Sequence, residues 1–284
     1  MSDYLITGKK GNGKSLVCVG RIRDALLQGR RVATNLNIFI EHLLPLGVRK
    51  CDLIRLPDRP SVADMVNLGL GAPVLDEARY GEIVLDEMAT WMNARSWNDK
   101  ERQALLDWFV HSRKQRWNTN FICQGIDQID KQIRGSLMDH HVICRRLDKL
   151  RIPLLGVLTK NLFGWELRPP KVHVAKVRFG MDANAMVVDT WTYRGTSLYK
   201  AYDTEQVFKD DYKDGVFSYL PPWHVEGFKH RIPLRLSERI RAFCTPLRRD
   251  KAPKPKLPLV ATLMALPPDE RIGHWRRLNA GGAL

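Results

Sequence analysis

Eight residues near the N-terminus have the types and spacing of a phosphate-binding loop. They read G-x-x-x-x-G-K-S and are Gly8, Lys9, Lys10, Gly11, Asn12, Gly13, Lys14 and Ser15. Glycines let the backbone curl so that successive N–H groups face a phosphate, and a following helix adds its partial positive charge. Lys14 is expected to reach the β- and γ-phosphates, and the Ser15 hydroxyl to bind Mg²⁺. The loop therefore predicts a site for ATP and Mg²⁺.

An acidic pair, Asp86 and Glu87, follows an apolar run and predicts the second half of such a site. Asp86 is expected to hold Mg²⁺ through water, and Glu87 to polarise the attacking water as a general base. A competing Asp-Glu pair at 76–77 also follows an apolar run. That run begins with Pro73, which disfavours a central strand. We therefore assign the acidic pair of the site to residues 86 and 87.

Two further residues are candidates for the hydrolytic step. Gln124 ends a predicted strand, where many motor ATPases have a polar residue that senses the γ-phosphate and orients water; the alternative is an ordinary glutamine at the end of a strand. Arg113 is a candidate arginine finger that acts on a neighbouring subunit. Arg134 and Arg95 are weaker candidates for that role. Because arginines are numerous, a solvated basic face is the alternative for any one of them.

The elements that must position these residues alternate between strands and helices. The apolar pattern predicts helices at 15–29, 101–117 and 126–137, and strands at 4–7, 31–34, 52–56, 82–86, 120–123 and 141–144. Such alternation is typical of the α/β class, a parallel sheet flanked by helices with right-handed crossovers. The runs 172–179 and 186–193 predict a small antiparallel β extension. In the first of these, we expect the valines to point inward and the basic residues outward.

The composition limits the class of partner and of compartment. The 284 residues have a formal net charge of +15, which favours a polyanionic partner, either nucleic acid or an anionic membrane surface. A basic but inert surface is the alternative. The five cysteines are scattered without a C-x-x-C motif, as is typical of thiols in a reducing compartment. The sequence predicts no signal peptide and no transmembrane helix.

Taken in order, the motifs resemble the zonular occludens toxin (Zot) family, which includes the assembly ATPases of filamentous phages. Besides the phosphate loop, the resemblance rests on Thr34-Asn35, 83–87 with Arg95, 111–114, 121–124, 129–134 and 197–203. It covers about residues 1–205. It implies a RecA-like P-loop core related to the FtsK/HerA DNA pumps, with an extra strand between the loop strand and the acidic strand. Residues 86 and 87 match the second nucleotide motif, and residue 124 the sensor position.

The same resemblance divides the chain into an ATPase domain, 1–205, and a C-terminal extension, 206–284. The extension is basic, contains prolines and lacks the transmembrane helix that family members commonly have there. The resemblance implies action at the host inner membrane, where ATP hydrolysis is coupled to virion assembly and export. We expect a location in the host cytoplasm, peripheral to that membrane. The basic tail is expected to contact anionic lipid, a membrane partner or DNA.

Several functions are compatible with these residues. The first is an ATP-hydrolysing motor that drives assembly and extrusion of a DNA virion. The second is a packaging ATPase that pumps the genome into a preformed capsid. The third is a nucleotide-gated module that docks on DNA or membrane with slow turnover; a base beside Asp86 argues against it. A metabolic P-loop kinase is a fourth. A motor predicts a homo-oligomer, taken as a hexamer. Its expected partners are phage DNA or nucleoprotein, and coat or inner-membrane assembly proteins.

Overall fold

One mixed sheet forms the framework of the part of the protein that the structure describes. The computed structural model describes residues 3–91, 100–129, 134–135, 137–147, 171–182, 184–194, 198–209 and 212–229. The strands in those ranges are β1 Tyr4–Thr7, β2 Val32–Thr34, β3 Leu53–Arg55, β4 Gly81–Leu85, β5 Trp117–Ile122, β6 His140–Arg146, β7 Val172–Phe179, β8 Val187–Arg194 and β9 Phe217–Ser218. Their order in the sheet is β8-β7-β6-β1-β5-β4-β2-β3-β9.

The six strands from β6 to β3 are parallel, and antiparallel strands flank them on both sides. β7 and β8 continue the sheet beyond β6, and β9 pairs with β3. The predicted α/β class and the antiparallel extension are therefore confirmed. β5 lies between the loop strand β1 and the acidic strand β4, as the family resemblance implies.

Helices cover both faces of the sheet. The helices with described bounds are α1 Lys14–Leu27, α2 Ile40–Leu43, α3 Val62–Asn67, α4 Met88–Trp91, α5 Lys100–Val110 and α6 Pro222–Val225. Successive side chains of a strand point to opposite faces. Ile6 accordingly packs in the cluster that contains α1, whereas Leu5 packs in the cluster that contains Phe109 of α5. Burial on both faces explains why the central strands are apolar throughout.

A buried group of charged side chains fixes α1 against the sheet. Glu82 of β4 is 2% exposed, and its Oε1 accepts hydrogen bonds from Arg30 at 2.5 Å and from Arg21 at 3.1 Å. Its Oε2 accepts from Asn120 of β5 at 2.5 Å. A buried carboxylate is tolerated when it is paired and hydrogen-bonded. These contacts hold the helix, and with it the loop at its N-terminus, in place over the strands.

The predicted helix at 101–117 was too long. The helix ends at Val110, and a 3-10 turn at Ser112–Gln115 and Arg116, in the left-handed region at φ +60°, lead into β5. Trp117 is fully buried as the first residue of β5, beside Gly81 of β4. Its indole N–H donates to the Gly69 carbonyl at 2.9 Å. The helix ends before Trp117 because that side chain is buried in the sheet. The helical periodicity of the sequence does not indicate such burial.

The predicted helix at 126–137 begins as a 3-10 turn at Ile126–Gln128, and part of its range lies outside the described residues. The chain after residue 205 contacts the same sheet as the chain before it. The Tyr219 hydroxyl, next to β9, accepts from the Ile38 N–H at 3.1 Å. Described residues between 206 and 229 thus pack with the sheet, and the division into a domain at 1–205 and an extension at 206–284 stays a prediction. In the described ranges, no helix is both long and apolar enough to span a bilayer.

Candidate nucleotide site

The eight loop residues join β1 to α1 in the conformation that a phosphate loop requires. Gly11 and Gly13 have φ values of +73° and +82°, in the left-handed region that glycine adopts without strain. Gly13 directly precedes α1, so the helix begins at the loop and its free N–H groups point toward it. The Lys14 ammonium donates to the Gly8 carbonyl at 3.0 Å, across the loop. A bound phosphate would meet both the backbone N–H groups and this charge.

Residues of β6 and β7 contact the phosphate loop and stabilise it. Asn12 donates to the Cys144 carbonyl at 3.2 Å, and Arg146 donates to the Gly11 carbonyl at 3.2 Å. His173 is 2% exposed, and its Nδ1 lies 3.3 Å from the Asn12 carbonyl oxygen. Because a carbonyl only accepts, Nδ1 is the protonated nitrogen in that contact. The antiparallel extension therefore helps to shape the phosphate loop.

His173 was missed in the sequence, where the valines were expected to be the inward residues of β7. Val172 and Val177 are indeed buried, but Val174 is only half-buried. His173 and Ala175 are buried as well. Val174 and Lys176 belong to the other face. A strict count by twos from Val177 back to residue 173 was the signal that would have found it.

The carboxylate of Asp86 faces the hydroxyl of Ser15. β1 and β4 run parallel, so the loop and the residue after Leu85 lie at the same edge of the sheet. Ser15 Oγ donates to Asp86 Oδ2 at 2.8 Å, and the Glu87 N–H donates to Oδ1 at 2.7 Å. Burial raises the pKa of Asp86, against the effect of these two hydrogen bonds. The oxygens fit Mg²⁺, which proteins hold through one or two carboxylates and the substrate's phosphates. A cation there would relieve the buried charge.

Glu87 has an unusual backbone conformation. Its φ is +55°, a left-handed value that is uncommon for residues other than glycine. Such a conformation costs about 1–3 kcal/mol of strain energy, and residues with this strain cluster at functional sites. The Glu87 carbonyl accepts from the N–H and the hydroxyl of Thr90, at 2.9 Å and 2.8 Å. These contacts stabilise the turn after β4. The exposed side chain of Glu87 lines the cleft beside the phosphate loop.

An open cleft of about 820 Å³ brings most of the predicted residues together. Its lining includes Lys10, Lys14, Ser15, Asp86, Glu87, Thr90, Gln124, Gln128 and Thr204. Gln124 lies just after β5, and its N–H donates to Gln128 Oε1 at 3.1 Å. A polyphosphate, a cation and a water molecule would all fit among these groups. The arrangement suits phosphoryl transfer to water.

Arg113 lies at the opposite edge of the sheet. It belongs to the 3-10 turn before β5, whereas the phosphate loop follows the parallel strand β1. Arg113 Nη2 donates to Glu77 Oε1 at 2.8 Å on the surface, and Asp76 and Glu77 belong to an exposed turn. Arg134 lies near the loop edge. Its charge opposes the rise that burial causes in the pKa of Cys123, and it adds to the lowering that burial causes in the pKa of His141. Arg95 lies outside the described residues.

Gly13→Ala is expected to destabilise the protein and to weaken nucleotide binding strongly. The new methyl group would lie 1.9 Å from His173 Nδ1, in addition to the strain at φ +82°. Gly29→Ala is the matched control, because Gly29 has φ +74° and open space around it. That control is expected to lose only about 1–2 kcal/mol, the cost of the left-handed conformation. Urea denaturation and titration with a fluorescent ATP analogue measure both effects. Equal losses in the two variants would contradict the importance of the His173 contact.

Comparison with known proteins identifies relatives of this chain. Residues 2–187 match the family model described as zonular occludens toxin (Zot). The Gene 1 protein of Enterobacteria phage M13 is 42% identical over 243 residues, which is 85% of this chain and 70% of that protein. The Gene 1 protein of Escherichia phage If1 is 47% identical over 229 residues, which is 80% of this chain and 65% of that protein.

Two solved structures are also similar. The N-terminal domain of zonular occludens toxin from Neisseria meningitidis has a TM-score of 0.42 and 18% identity, over 72% of this chain and 100% of that one. The genome packaging NTPase B204 from Sulfolobus turreted icosahedral virus 2, in complex with AMP, has a TM-score of 0.37 and 10% identity. That match covers 63% of this chain and 96% of that one.

Proposed function

Because the chain belongs to the zonular occludens toxin family, we propose that it is an ATP-hydrolysing motor of phage morphogenesis. The motor drives the assembly and extrusion of a DNA virion. One observation carries the proposal: the Ser15 hydroxyl lies 2.8 Å from the Asp86 carboxylate, beside Glu87 and at the mouth of a complete phosphate loop. The relatives named Gene 1 protein, which are phage proteins, support the biological setting.

In this proposal the loop binds the phosphates of ATP. The backbone N–H groups of residues 8–15 and the N-terminus of α1 attract the negative charge. Lys14 leaves the Gly8 carbonyl and contacts the β- and γ-phosphates. Ser15 and Asp86 would hold Mg²⁺, which when bound would supply positive charge to the phosphate oxygens. Apart from the Lys14 side chain, which has to turn away from Gly8, the binding groups are already in place.

Hydrolysis requires that a water molecule be oriented and deprotonated. Glu87 lines the cleft beside Asp86 and accepts the proton of that water as the general base. Gln124 lines the same cleft and orients the water through its carboxamide. A base next to the metal-binding carboxylate suits repeated turnover, which favours a motor over a switch that holds its nucleotide.

The position of Arg113 supports a homo-oligomer, taken as a hexamer. A side chain at the far edge of the sheet reaches a nucleotide only in a neighbouring subunit, where it stabilises the charge of the transition state. The net charge of +15 supports phage DNA or nucleoprotein as the moving partner. The basic tail directs the protein to the cytoplasmic side of the host inner membrane, through anionic lipid or assembly and coat proteins.

The proposed function predicts ATP hydrolysis together with binding of anionic liposomes. The test compares the full chain with a chain that ends at residue 229, which keeps every described residue that packs on the sheet. Phosphate release is measured with and without single-stranded DNA, and lipid binding by co-sedimentation. We expect both chains to hydrolyse ATP and only the full chain to sediment with lipid. DNA stimulation without lipid binding would instead indicate genome packaging, and absence of hydrolysis a nucleotide-gated docking module.

A further inference from the structure

Residues 201–209, which we call the closing segment, lie along the nucleotide cleft. Tyr202, Thr204 and Phe208 of this segment line a smaller recess of about 290 Å³ together with the phosphate loop and Asp86. Two backbone hydrogen bonds hold the segment to the chain after β2. The Phe39 N–H donates to the Ala201 carbonyl at 2.8 Å, and the Asp203 N–H donates to the Asn37 carbonyl at 3.0 Å. The closing segment follows the residues that match the family model, 2–187.

Within the closing segment, the carboxamide of Gln206 clamps the backbone of residues 35–37. Its Nε2 donates to the Asn35 carbonyl at 2.8 Å, and its Oε1 accepts from the Asn37 N–H at 2.8 Å. The same Nε2 donates to Asp58 Oδ1 at 3.3 Å. A glutamine amide has two N–H donors, and both have partners here. The side chain thus serves as a specific bridge rather than a solvated surface group.

The side chain of Asn35 connects the segment held by Gln206 to the backbone of Asp86. It is fully buried, and its Oδ1 accepts from the Asp86 N–H at 2.8 Å. Its Nδ2 donates to the Asp86 carbonyl at 3.1 Å and to the Asp58 carbonyl at 3.1 Å. The pairing of β2 with β4 extends to Thr34 and Val84. Beyond that point, the side chain of Asn35 binds both polar groups of the Asp86 backbone.

Asp58 anchors the far end of the same network. It is 4% exposed, and its carboxylate accepts from Arg55 Nη2 at 2.7 Å and from the Lys209 N–H at 2.9 Å. Arg55 is itself fully buried and also donates to Asn37 Oδ1. A charged pair of this kind holds its geometry because either partner alone would be buried without compensation. The closing segment is therefore tied down on both sides of Gln206.

We propose that Gln206 is a positioning residue for Asp86. Through Asn35, it keeps the carboxylate within hydrogen-bond distance of Ser15, so that the Gln206 carboxamide acts on the Mg²⁺–nucleotide site. This inference rests on the proposed function, since it assigns a role in the same site. Groups that orient the ligands of a metal typically change its affinity 10- to 100-fold when they are lost. Loss of the hydrogen bonds of Gln206 is therefore expected to weaken the affinity for Mg²⁺ and to leave the affinity for the nucleotide without Mg²⁺ unchanged.

The test is a Mg²⁺ titration of the binding of a fluorescent ATP analogue. Gln206→Met keeps the approximate size of the side chain but removes its hydrogen bonds. Gln206→Glu keeps an acceptor for Asn37 but places a carboxylate against the Asn35 carbonyl and Asp58. For both variants, the Mg²⁺ concentration at half-maximal enhancement of binding is expected to rise about tenfold. Binding in EDTA is expected to stay unchanged. Val207→Ala is the control, because that neighbouring side chain is 72% exposed.

Thermal unfolding of each variant separates positioning from simple destabilisation. A variant with a lower melting temperature and an unchanged Mg²⁺ midpoint would overturn the inference. An equal shift in Val207→Ala would overturn it too, since the effect would then belong to the segment and not to the Gln206 carboxamide. A wild-type chain that binds the analogue without hydrolysing ATP would contradict the proposed function and leave this test intact. A wild-type chain that binds no nucleotide would overturn both.

Discussion

Glu87→Gln is expected to bind ATP and Mg²⁺ like the wild-type chain and to hydrolyse ATP at least about a hundredfold more slowly. A general base typically contributes 10²- to 10⁴-fold, which corresponds to about 3–5 kcal/mol of activation free energy. Glutamine has the shape of glutamate but takes up no proton from water. Since Ser15 and Asp86 keep their 2.8 Å contact, the residues that we propose bind Mg²⁺ and the nucleotide are unchanged. Single-turnover hydrolysis and analogue binding, measured on the same preparation, give the two quantities.

Asp76→Asn is the matched control for Glu87→Gln. It removes one negative charge, as the test variant does, but from the competing Asp-Glu pair in an exposed turn. Its hydrolysis rate is expected to equal that of the wild-type chain. An undiminished rate in Glu87→Gln would remove this residue from the role of base. A loss of nucleotide affinity in Glu87→Gln would instead assign the residue to binding.

Arg113→Ala is expected to lower the rate of hydrolysis about a thousandfold, since an arginine finger contributes 10³- to 10⁵-fold. Nucleotide affinity is expected to remain unchanged, because Arg113 lies across the sheet from the loop of its own subunit. Arg79→Ala is the control: Arg79 is also exposed and makes a surface ion pair, with Asp76, at 3.5 Å. Steady-state phosphate release at saturating ATP, together with analogue binding, checks this prediction.

Mixing two inactive variants tests whether Arg113 acts between subunits. Where the intact Arg113 of a Glu87→Gln subunit meets the intact site of an Arg113→Ala subunit, one complete site forms. An equimolar mixture is therefore expected to recover part of the wild-type rate, although each variant alone is nearly inactive. A mixture as inactive as its components would exclude a finger supplied in trans. Full activity in a strictly monomeric species would exclude it as well.

Part of the site was readable from the sequence because its signal is local. Gly8 to Ser15 are eight consecutive residues, and the strand before Asp86 is a continuous apolar run. The alternation of strands and helices predicted a parallel sheet, and the pairing of the six central strands confirms it. The family resemblance placed an extra strand between the loop and the acidic pair, which local patterns do not report.

The errors arose where a local pattern competed with packing. Trp117 fitted the helical periodicity of the preceding residues, yet its burial against Gly81 placed it in β5. His173 was not recognised in the sequence, where only the valines of β7 were expected to point inward. In the structure it supports the phosphate loop through Asn12, 161 residues away in the chain. The alternation along β7 indicates that His173 is buried, but a short window of sequence does not show which residue either side chain contacts.

The sequence by itself determined which groups are candidates for the site: a phosphate loop, a hydroxyl suited to a cation and a pair of carboxylates. These groups were readable because a loop and a strand end impose residue types on adjacent positions. Only the tertiary structure decided what holds Asp86 in place. Gln206 bonds to Asn35, 171 residues away in the chain, and Asn35 bonds to Asp86, 51 residues further on. An amide that bonds to distant backbone has no periodicity, because its partners are brought to it by the folding of the whole sheet.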